Sequence, residues 1–383
     1  MEYRIFGNTG LKVSALGFGC MRFPTLDGDN AKIDEPLATE MLRGAIDQGL
    51  NYVDTAFPYH MEQSEPFVGR VLRDGYREKV LLATKMPSWL VKSPEDLERI
   101  FSTQLERLQT DHIDCYLLHA LNAAHWDNYL KINVFDWAER KLSEGSIRHL
   151  GFSFHDRYEV FNRILNGYDN WSFCQLQYNY MDVNEQAGRR GVIEAAEKGL
   201  GVIVMEPLRG GKLAVQTPPA RVAEAFSTSQ RQWTMAEWAL QWLWDQPEVS
   251  LLLSGMSTME QVEQNLQSAS RSGIGSLSEE DRATISRVQQ AWAGLAPVPC
   301  TGCEYCMPCP NGVQIPRIFK LYNESVMYDR QERGKETYQR EFAEDQRADM
   351  CVECGQCETL CPQRIQIIQQ LKDAHAYLMG EPR

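Results

Sequence analysis

Residues 50–56 read Leu-Asn-Tyr-Val-Asp-Thr-Ala (LNYVDTA), an apolar run too short for a helix and rich in residues that suit a strand. A helical period from Pro36 to Gln48 precedes it, and another from Ser64 to Arg73 follows. The same unit recurs in both directions along the chain. The other runs are SALGFG (14–19), KVLLATK (79–85), IDCYLLH (113–119), IRHLGFSF (147–154), FCQLQYN (173–179), LGVIVMEPL (200–208) and VSLLLSG (249–255). Between them, residues 93–108, 135–144, 184–198, 230–245 and 258–268 carry apolar side chains at helical spacing, several opening on Ser, Thr or Asn. Alternating strand and helix implies a parallel sheet, and eight strands imply a closed (β/α)8 TIM barrel rather than an open doubly wound sheet. Gly7-Asn8-Thr9-Gly10 reads as the turn of a hairpin closing the barrel floor.

Such barrels place their chemistry at the C-terminal ends of the strands. The runs end there on Asp54, Lys85, His119, Ser153 with His155, Gln175 with Asn179, and Glu206. Asp54-Thr55-Ala56 with Tyr59, Ala83-Thr84-Lys85 and Leu117-Leu118-His119 together resemble the aldo-keto reductase family over roughly residues 1–270. The resemblance implies interconversion of a carbonyl and an alcohol with NADP or NAD. In it Tyr59 is the acid/base, Lys85 and Asp54 its electrostatic support, and His119 the group that orients substrate. A free tyrosine has a pKa of about 10, so the neighbouring ammonium is expected to favour the phenolate. Phe57, His60, Trp89, Asn122, Trp126 and His155 are expected to line the mouth and to suit a polar substrate with a flat or sugar-like face.

The same resemblance implies coenzyme contacts. Gly19, Cys20 and Met21 are similar to the family's nicotinamide-side turn, and Ser153 with Gln175 to part of the set that binds the carboxamide. This chain reads Ser153-Phe154-His155 where many relatives follow the serine with asparagine, and Met205 stands where an aromatic ring is usual. Leu208, Gly210 and Lys212, in Leu208-Arg209-Gly210-Gly211-Lys212, and Gly255 and Ser257 after the last strand occupy loops in which barrels commonly hold phosphate. Asn265 resembles the adenine contact, whereas Gln261 stands where NADP-preferring members often carry arginine. A flavin phosphate would fit the same loops.

The chain contains eleven cysteines, and eight of them fall in its last 84 residues. Cys351, Cys354, Cys357 and Cys361, followed by Pro362, have the spacing of a bacterial ferredoxin cubane, whose fourth cysteine ligates the neighbouring cluster. Cys300, Cys303, Cys306 and Cys309, followed by Pro310, have one residue fewer before the last thiol. Crossed ligation gives one [4Fe-4S] cluster Cys300, Cys303, Cys306 and Cys361, and the other Cys351, Cys354, Cys357 and Cys309. Structural zinc, or one cluster with spare thiols, are the alternatives. The 41 residues between the arrays include a helical stretch from Ile315 to Tyr328, which points to a small, mostly helical, ferredoxin-like two-cluster domain. The expected organisation is a barrel over 1–275, a helical linker over 276–298 and the cluster domain over 299–383; the whole resembles an aldo-keto reductase subfamily with a C-terminal dicluster domain.

With 383 residues, 39 Lys+Arg against 52 Asp+Glu and a formal charge of −13, the chain lacks the clustered positive charge that nucleic acid or an anionic membrane requires. No stretch reaches the apolar length of a membrane span, and the opening residues lack a secretory pattern, so a cytoplasmic setting is expected, where thiols stay reduced. Cys115 and Cys174 read as core packing. A hydride carries two electrons and each cubane passes one, which leaves two readings open. The barrel is a carbonyl reductase whose clusters are structural or sensory, or it is linked through a flavin or a radical to a ferredoxin-like carrier. A non-catalytic regulatory barrel is the reading from a different class.

Overall fold

The computed structural model describes residues 1–381 and falls into two compact units. The first comprises Met1–Gln216 and Arg231–Asp281, the second Thr217–Gln230 and the chain from Arg282 onward.

In the first unit, β1 (Tyr3–Ile5) and β2 (Lys12–Ser14) form an antiparallel hairpin with Tyr3 opposite Ser14. Eight strands follow: β3 (Leu16–Gly19), β4 (Tyr52–Asp54), β5 (Leu81–Pro87), β6 (Ile113–Leu121), β7 (Ile147–Phe154), β8 (Phe173–Gln177), β9 (Gly201–Met205) and β10 (Leu251–Ser254). Each pairs in parallel with the next, and β10 pairs with β3 to close the barrel. The eight apolar runs are thus the eight staves. Phe6 of the hairpin is fully buried against Tyr52 and Phe173, and with Ala83, Cys115, Leu117 and Ile203 it packs the barrel interior. Cys174 lies in the surrounding core.

Local sequence sets the helix starts. The Asp34 carboxylate accepts from the Leu37 N–H at the head of Glu35–Asp47, and Ser93 and Asp96 form a capping box around Pro94 at the head of Pro94–Leu108. Helices Ala123–Lys131 and Tyr158–Leu165 were not expected from sequence. The first is capped by Asn122, whose side chain accepts from the His125 N–H. Asn179 and Glu206 lie just beyond β8 and β9 rather than within them, and Glu206 adopts a left-handed φ of 56°.

The second unit is helical: Ala220–Ser227, Ile315–Met327, Gln331–Glu341, Gln356–Leu360 and Ile367–Met379 lie within it. Its core gathers Val313, Ile315, Ile318, Phe319, Tyr322, Tyr338, Leu371 and Leu378, with six of the eight clustered cysteines packed against them. Asn323 pins the approach to the first cysteine array, accepting from the Val298 N–H at 2.9 Å and donating to its carbonyl at 2.7 Å.

Candidate active site

The C-terminal rim of the barrel brings Asp54, Tyr59, Lys85 and His119 together. Lys85 Nζ donates to Asp54 Oδ1 at 2.6 Å, to the Thr55 carbonyl at 2.8 Å and to the Tyr59 hydroxyl at 3.4 Å. Lys85 and Asp54 are buried, so their attraction is poorly screened by solvent. Burial alone would push the ammonium down, but the Asp54 carboxylate and the Tyr59 hydroxyl outweigh it and hold Lys85 above its ordinary value. His119 faces Tyr59 edge-on at 6.3 Å between ring centroids, and Trp89 lies 5.1 Å away on its other side. Burial, and then the Lys85 charge, push the imidazole well below its usual range, so His119 is neutral at pH 7. Its Nδ1 and Asp54 Oδ2 are buried without a protein partner among the described residues.

Lys85 acts on Tyr59 in the expected direction, but burial outweighs it. Burial raises the Tyr59 phenol above 10, with Asp54 adding to the rise and Lys85 opposing it. Tyr59 therefore rests as a protonated phenol, a proton donor and not a phenolate.

The expected coenzyme residues fall into two groups. At the nicotinamide side, the Cys20 N–H donates to the Asp54 carbonyl at 2.8 Å; its thiol is buried and raised well above its ordinary value by that burial, so it stays a thiol. Gly19 ends β3, while Met21 is 52% exposed. The Ser153 hydroxyl accepts from the Ala120 N–H at 2.8 Å. Gln175 is buried with Oε1 unpartnered among the described residues, and Met205 is half-buried at the end of β9.

At the phosphate side, Leu208 to Lys212 is a tight turn in which the Gly211 N–H donates to the Leu208 carbonyl and the Lys212 N–H to the Arg209 carbonyl. Arg209 is held by Asp182 at 2.9 and 3.0 Å. Gln261 Oε1 accepts from the Ser257 N–H at 2.8 Å, and Asn265 donates to the Ser254 hydroxyl at 3.1 Å, so both are engaged with their own loop. Arg22 had no sequence signal beyond following Met21. A methyl group on Gly255 would lie 3.1–3.2 Å from the Arg22 side chain, and one on Gly210 would lie 3.9 Å from its Nη2. Arg22 thus spans the two glycine loops, its carbonyl accepting from the Ser257 hydroxyl at 2.8 Å. The Glu206 carboxylate is nearer to Gly210, with Oε2 3.6 Å from the same methyl position.

Three expected mouth residues are elsewhere. Trp126 is buried against Phe135 and Trp171, Phe57 is buried beneath Arg107, and His60 is buried behind Tyr59. Trp126 and Phe57 pack among other side chains, and His60 bonds the Phe23 N–H and the Asn30 carbonyl. Trp89 and His155 are exposed, and Asn122 is a helix cap.

In the second unit, two cavities are lined by cysteines. One has Cys300, Cys303, Cys306 and Cys361 in its wall, with Ile315, Phe319 and Ile367. The other has Cys309, Cys351, Cys354 and Cys357, with Cys306 also reaching it. Ile315 lines both, at the head of helix Ile315–Met327.

A model of the aldo/keto reductase family matches residues 15–289. The chain belongs to this family. A 4Fe-4S dicluster domain model matches residues 299–366, so an aldo-keto reductase barrel and an iron-sulfur domain share one chain. L-galactose dehydrogenase of Arabidopsis thaliana is 29% identical over 309 residues, covering 76% of this chain and 93% of that protein. Among solved structures, an aldo-keto reductase of Bacillus halodurans in its holo form is similar with a TM-score of 0.64 and 28% identity, over 75% of this chain and 96% of that one. An aldo-keto reductase of Klebsiella pneumoniae in complex with NADPH follows at 0.61 and 25%, over 76% and 96%. This oxidoreductase has no helix among its described residues long and apolar enough to cross a membrane.

Proposed function

We propose that the barrel interconverts a small carbonyl compound and its alcohol with a nicotinamide coenzyme, with Tyr59 as the acid/base. The observation that carries this reading is the Lys85 ammonium, shared between Asp54 at 2.6 Å and the Tyr59 hydroxyl at 3.4 Å beside a neutral His119. The coenzyme supplies hydride when bound. Its fit is supported by the unpartnered Gln175 Oε1, which can accept from a carboxamide, and by the glycine loops that Arg22 spans. In the reductive direction Tyr59 donates its proton to the carbonyl oxygen as that oxygen gains charge. Lys85 stabilises the phenolate left behind, and Asp54 keeps Lys85 charged and fixed. His119 holds the carbonyl oxygen as a neutral hydrogen-bond donor.

The test is to incubate the protein with benzaldehyde and NADPH or NADH deuterated at the transferable position. Deuterium at the carbinol carbon of the alcohol supports the reading; no alcohol from any aldehyde or ketone with either coenzyme would sink it. Arg22→Gln is expected to weaken coenzyme binding by about 10- to 100-fold, since a hydrogen bond to a charged group contributes about 1.5–3 kcal/mol. Turnover at saturating coenzyme should be preserved. Fluorescence titration of the two proteins with NADPH checks this.

In the second unit we assign one [4Fe-4S] cluster to Cys300, Cys303, Cys306 and Cys361 and a second to Cys309, Cys351, Cys354 and Cys357. All-thiolate donor sets suit such clusters. Eight cysteines in two runs of four, each closing on Cys-Pro, favour clusters over a structural zinc, which needs only four ligands from two pairs. Eight reduced cysteines suit the reducing cytoplasm.

A further inference from the structure

We infer that His60, which no comparison assigns, is a positioning residue that holds the Tyr59 hydroxyl in place by clamping the strained turn that follows it. The inference rests on the reading of Tyr59 as the acid/base. His60, Met61 and Glu62 have φ values of 51°, 51° and 68°, three successive non-glycine residues in the left-handed region. Such a run is costly and persists only where the surroundings hold it. The turn closes on Tyr59 itself: the Gln63 N–H donates to the His60 carbonyl at 3.0 Å and the Ser64 N–H to the Tyr59 carbonyl at 3.2 Å.

Two clamps hold it. On one side Arg107 pairs with Glu62 at 2.6 Å and stacks on Phe57 at 4.3 Å, gripping the chain before and after Tyr59. On the other, the buried His60 imidazole bridges to the segment after β3. It accepts from the Phe23 N–H at Nε2 (3.2 Å) and donates from Nδ1 to the Asn30 carbonyl (3.0 Å), with the Phe23 ring 5.8 Å away. Because a carbonyl can only accept, Nδ1 carries the proton and Nε2 is the acceptor. Only the neutral ring can make both bonds. Protonation at Nε2 would set a donor against the Phe23 N–H, release the bridge and let Tyr59 drift from Lys85.

The surroundings favour the neutral ring. Phe23 and Asn30 do not titrate, Glu62 on the same turn is committed to Arg107, and among the described residues no charged side chain acts on the imidazole. Burial holds His60 below its ordinary 6.5, with the Asn30 carbonyl opposing. The clamp is therefore intact at neutral pH and lost in acid.

The experiment compares wild type, His60→Gly, His60→Asn and Tyr59→Phe, using benzaldehyde and NADPH for turnover and hydrogen exchange of the Gln63 and Ser64 amides as a readout independent of turnover. Glycine relieves the backbone strain but removes both bonds, whereas asparagine tolerates the left-handed turn and can keep the bond to Asn30. A loss of placement of about 1 Å costs on the order of 10²-fold. His60→Gly is thus expected to lower kcat by roughly 10- to 100-fold with unchanged NADPH affinity, and His60→Asn to fall between it and wild type. Exchange at Gln63 and Ser64, corrected for intrinsic rates, should rise in wild type only as pH falls below the ordinary histidine value of about 6.5 and be fast at every pH in His60→Gly. Wild-type turnover or exchange in His60→Gly, or a glycine variant that outperforms asparagine, would overturn the inference. If Tyr59→Phe retains full turnover, the acid/base reading fails instead, whatever the His60 variants do.

Discussion

Tyr59→Phe is expected to lower carbonyl reduction by about 10²- to 10⁴-fold, the usual contribution of a positioned acid, while leaving coenzyme affinity unchanged. Removing one oxygen leaves Lys85 with its bonds to Asp54 and the Thr55 carbonyl, so the buried ion pair stays satisfied and the variant should fold. Initial rates and NADPH titration on the same preparation separate the two effects. The pH profile gives a second check. Burial raises the phenol above 10, so the donor form prevails throughout the neutral range. Reduction by wild type should therefore stay level through neutral pH and fall only as the pH climbs past about 10, while alcohol oxidation, which needs the phenolate, should rise over the same interval. The residual activity of Tyr59→Phe should show no such alkaline change. An unaltered rate, or an unaltered alkaline limb, would remove Tyr59 from the chemistry.

The barrel was legible because each stave is buried on both faces. LNYVDTA and IDCYLLH carry nearly unbroken apolar runs, and a strand between helix layer and barrel interior requires them. The polar residue closing each run marks where burial ends and solvent begins, which is why Asp54, Lys85 and His119 could be found without coordinates. Helix Ala123–Lys131 was harder to see, since its nine residues give a short period and its aromatic Trp126 resembled a mouth residue. Arg22, and the clamping role of His60, were invisible for another reason. Their roles depend on partners distant in sequence: Gly210 and Gly255 for Arg22, and Phe23 and Asn30 for His60. That burial outweighs Lys85 at Tyr59 was not legible either, because sequence shows the presence of a lysine but not how deeply the phenol beside it is buried.

Cys361→Ala and Cys309→Ala are expected to remove different clusters, each the one whose other three ligands lie in the opposite cysteine run. The walls of the two cavities carry the argument. Cys361 faces Cys300, Cys303 and Cys306 across a void bounded by Phe319 and Ile367, whereas Cys309 faces Cys351, Cys354 and Cys357. In sequence Cys361 is only four residues from Cys357, so a purely local array would predict the reverse. If both clusters assemble, wild type should hold about eight irons per chain and each alanine variant about four. Pairing each variant with a second lesion identifies which cluster survives. Cys361→Ala combined with Cys303→Ala should lose no more iron than Cys361→Ala alone, because both ligands serve one cavity. Cys361→Ala combined with Cys354→Ala should lose nearly all of it. Iron and sulfide analysis of protein assembled without oxygen gives the count, and electron paramagnetic resonance after dithionite reduction shows whether the remaining centre is a single, uncoupled cubane. Loss of all iron in Cys361→Ala combined with Cys303→Ala, with half retained in Cys361→Ala combined with Cys354→Ala, would assign each cluster to its own run of four and overturn the crossed arrangement. The crossed arrangement also makes a structural statement. In it each cluster would join the segment before helix Ile315–Met327 to the segment before helix Ile367–Met379, and Ile315 lines both cavities. Losing either cluster should therefore loosen both segments, and protease cleavage near residues 300–310 and 351–361 should rise together in either single variant.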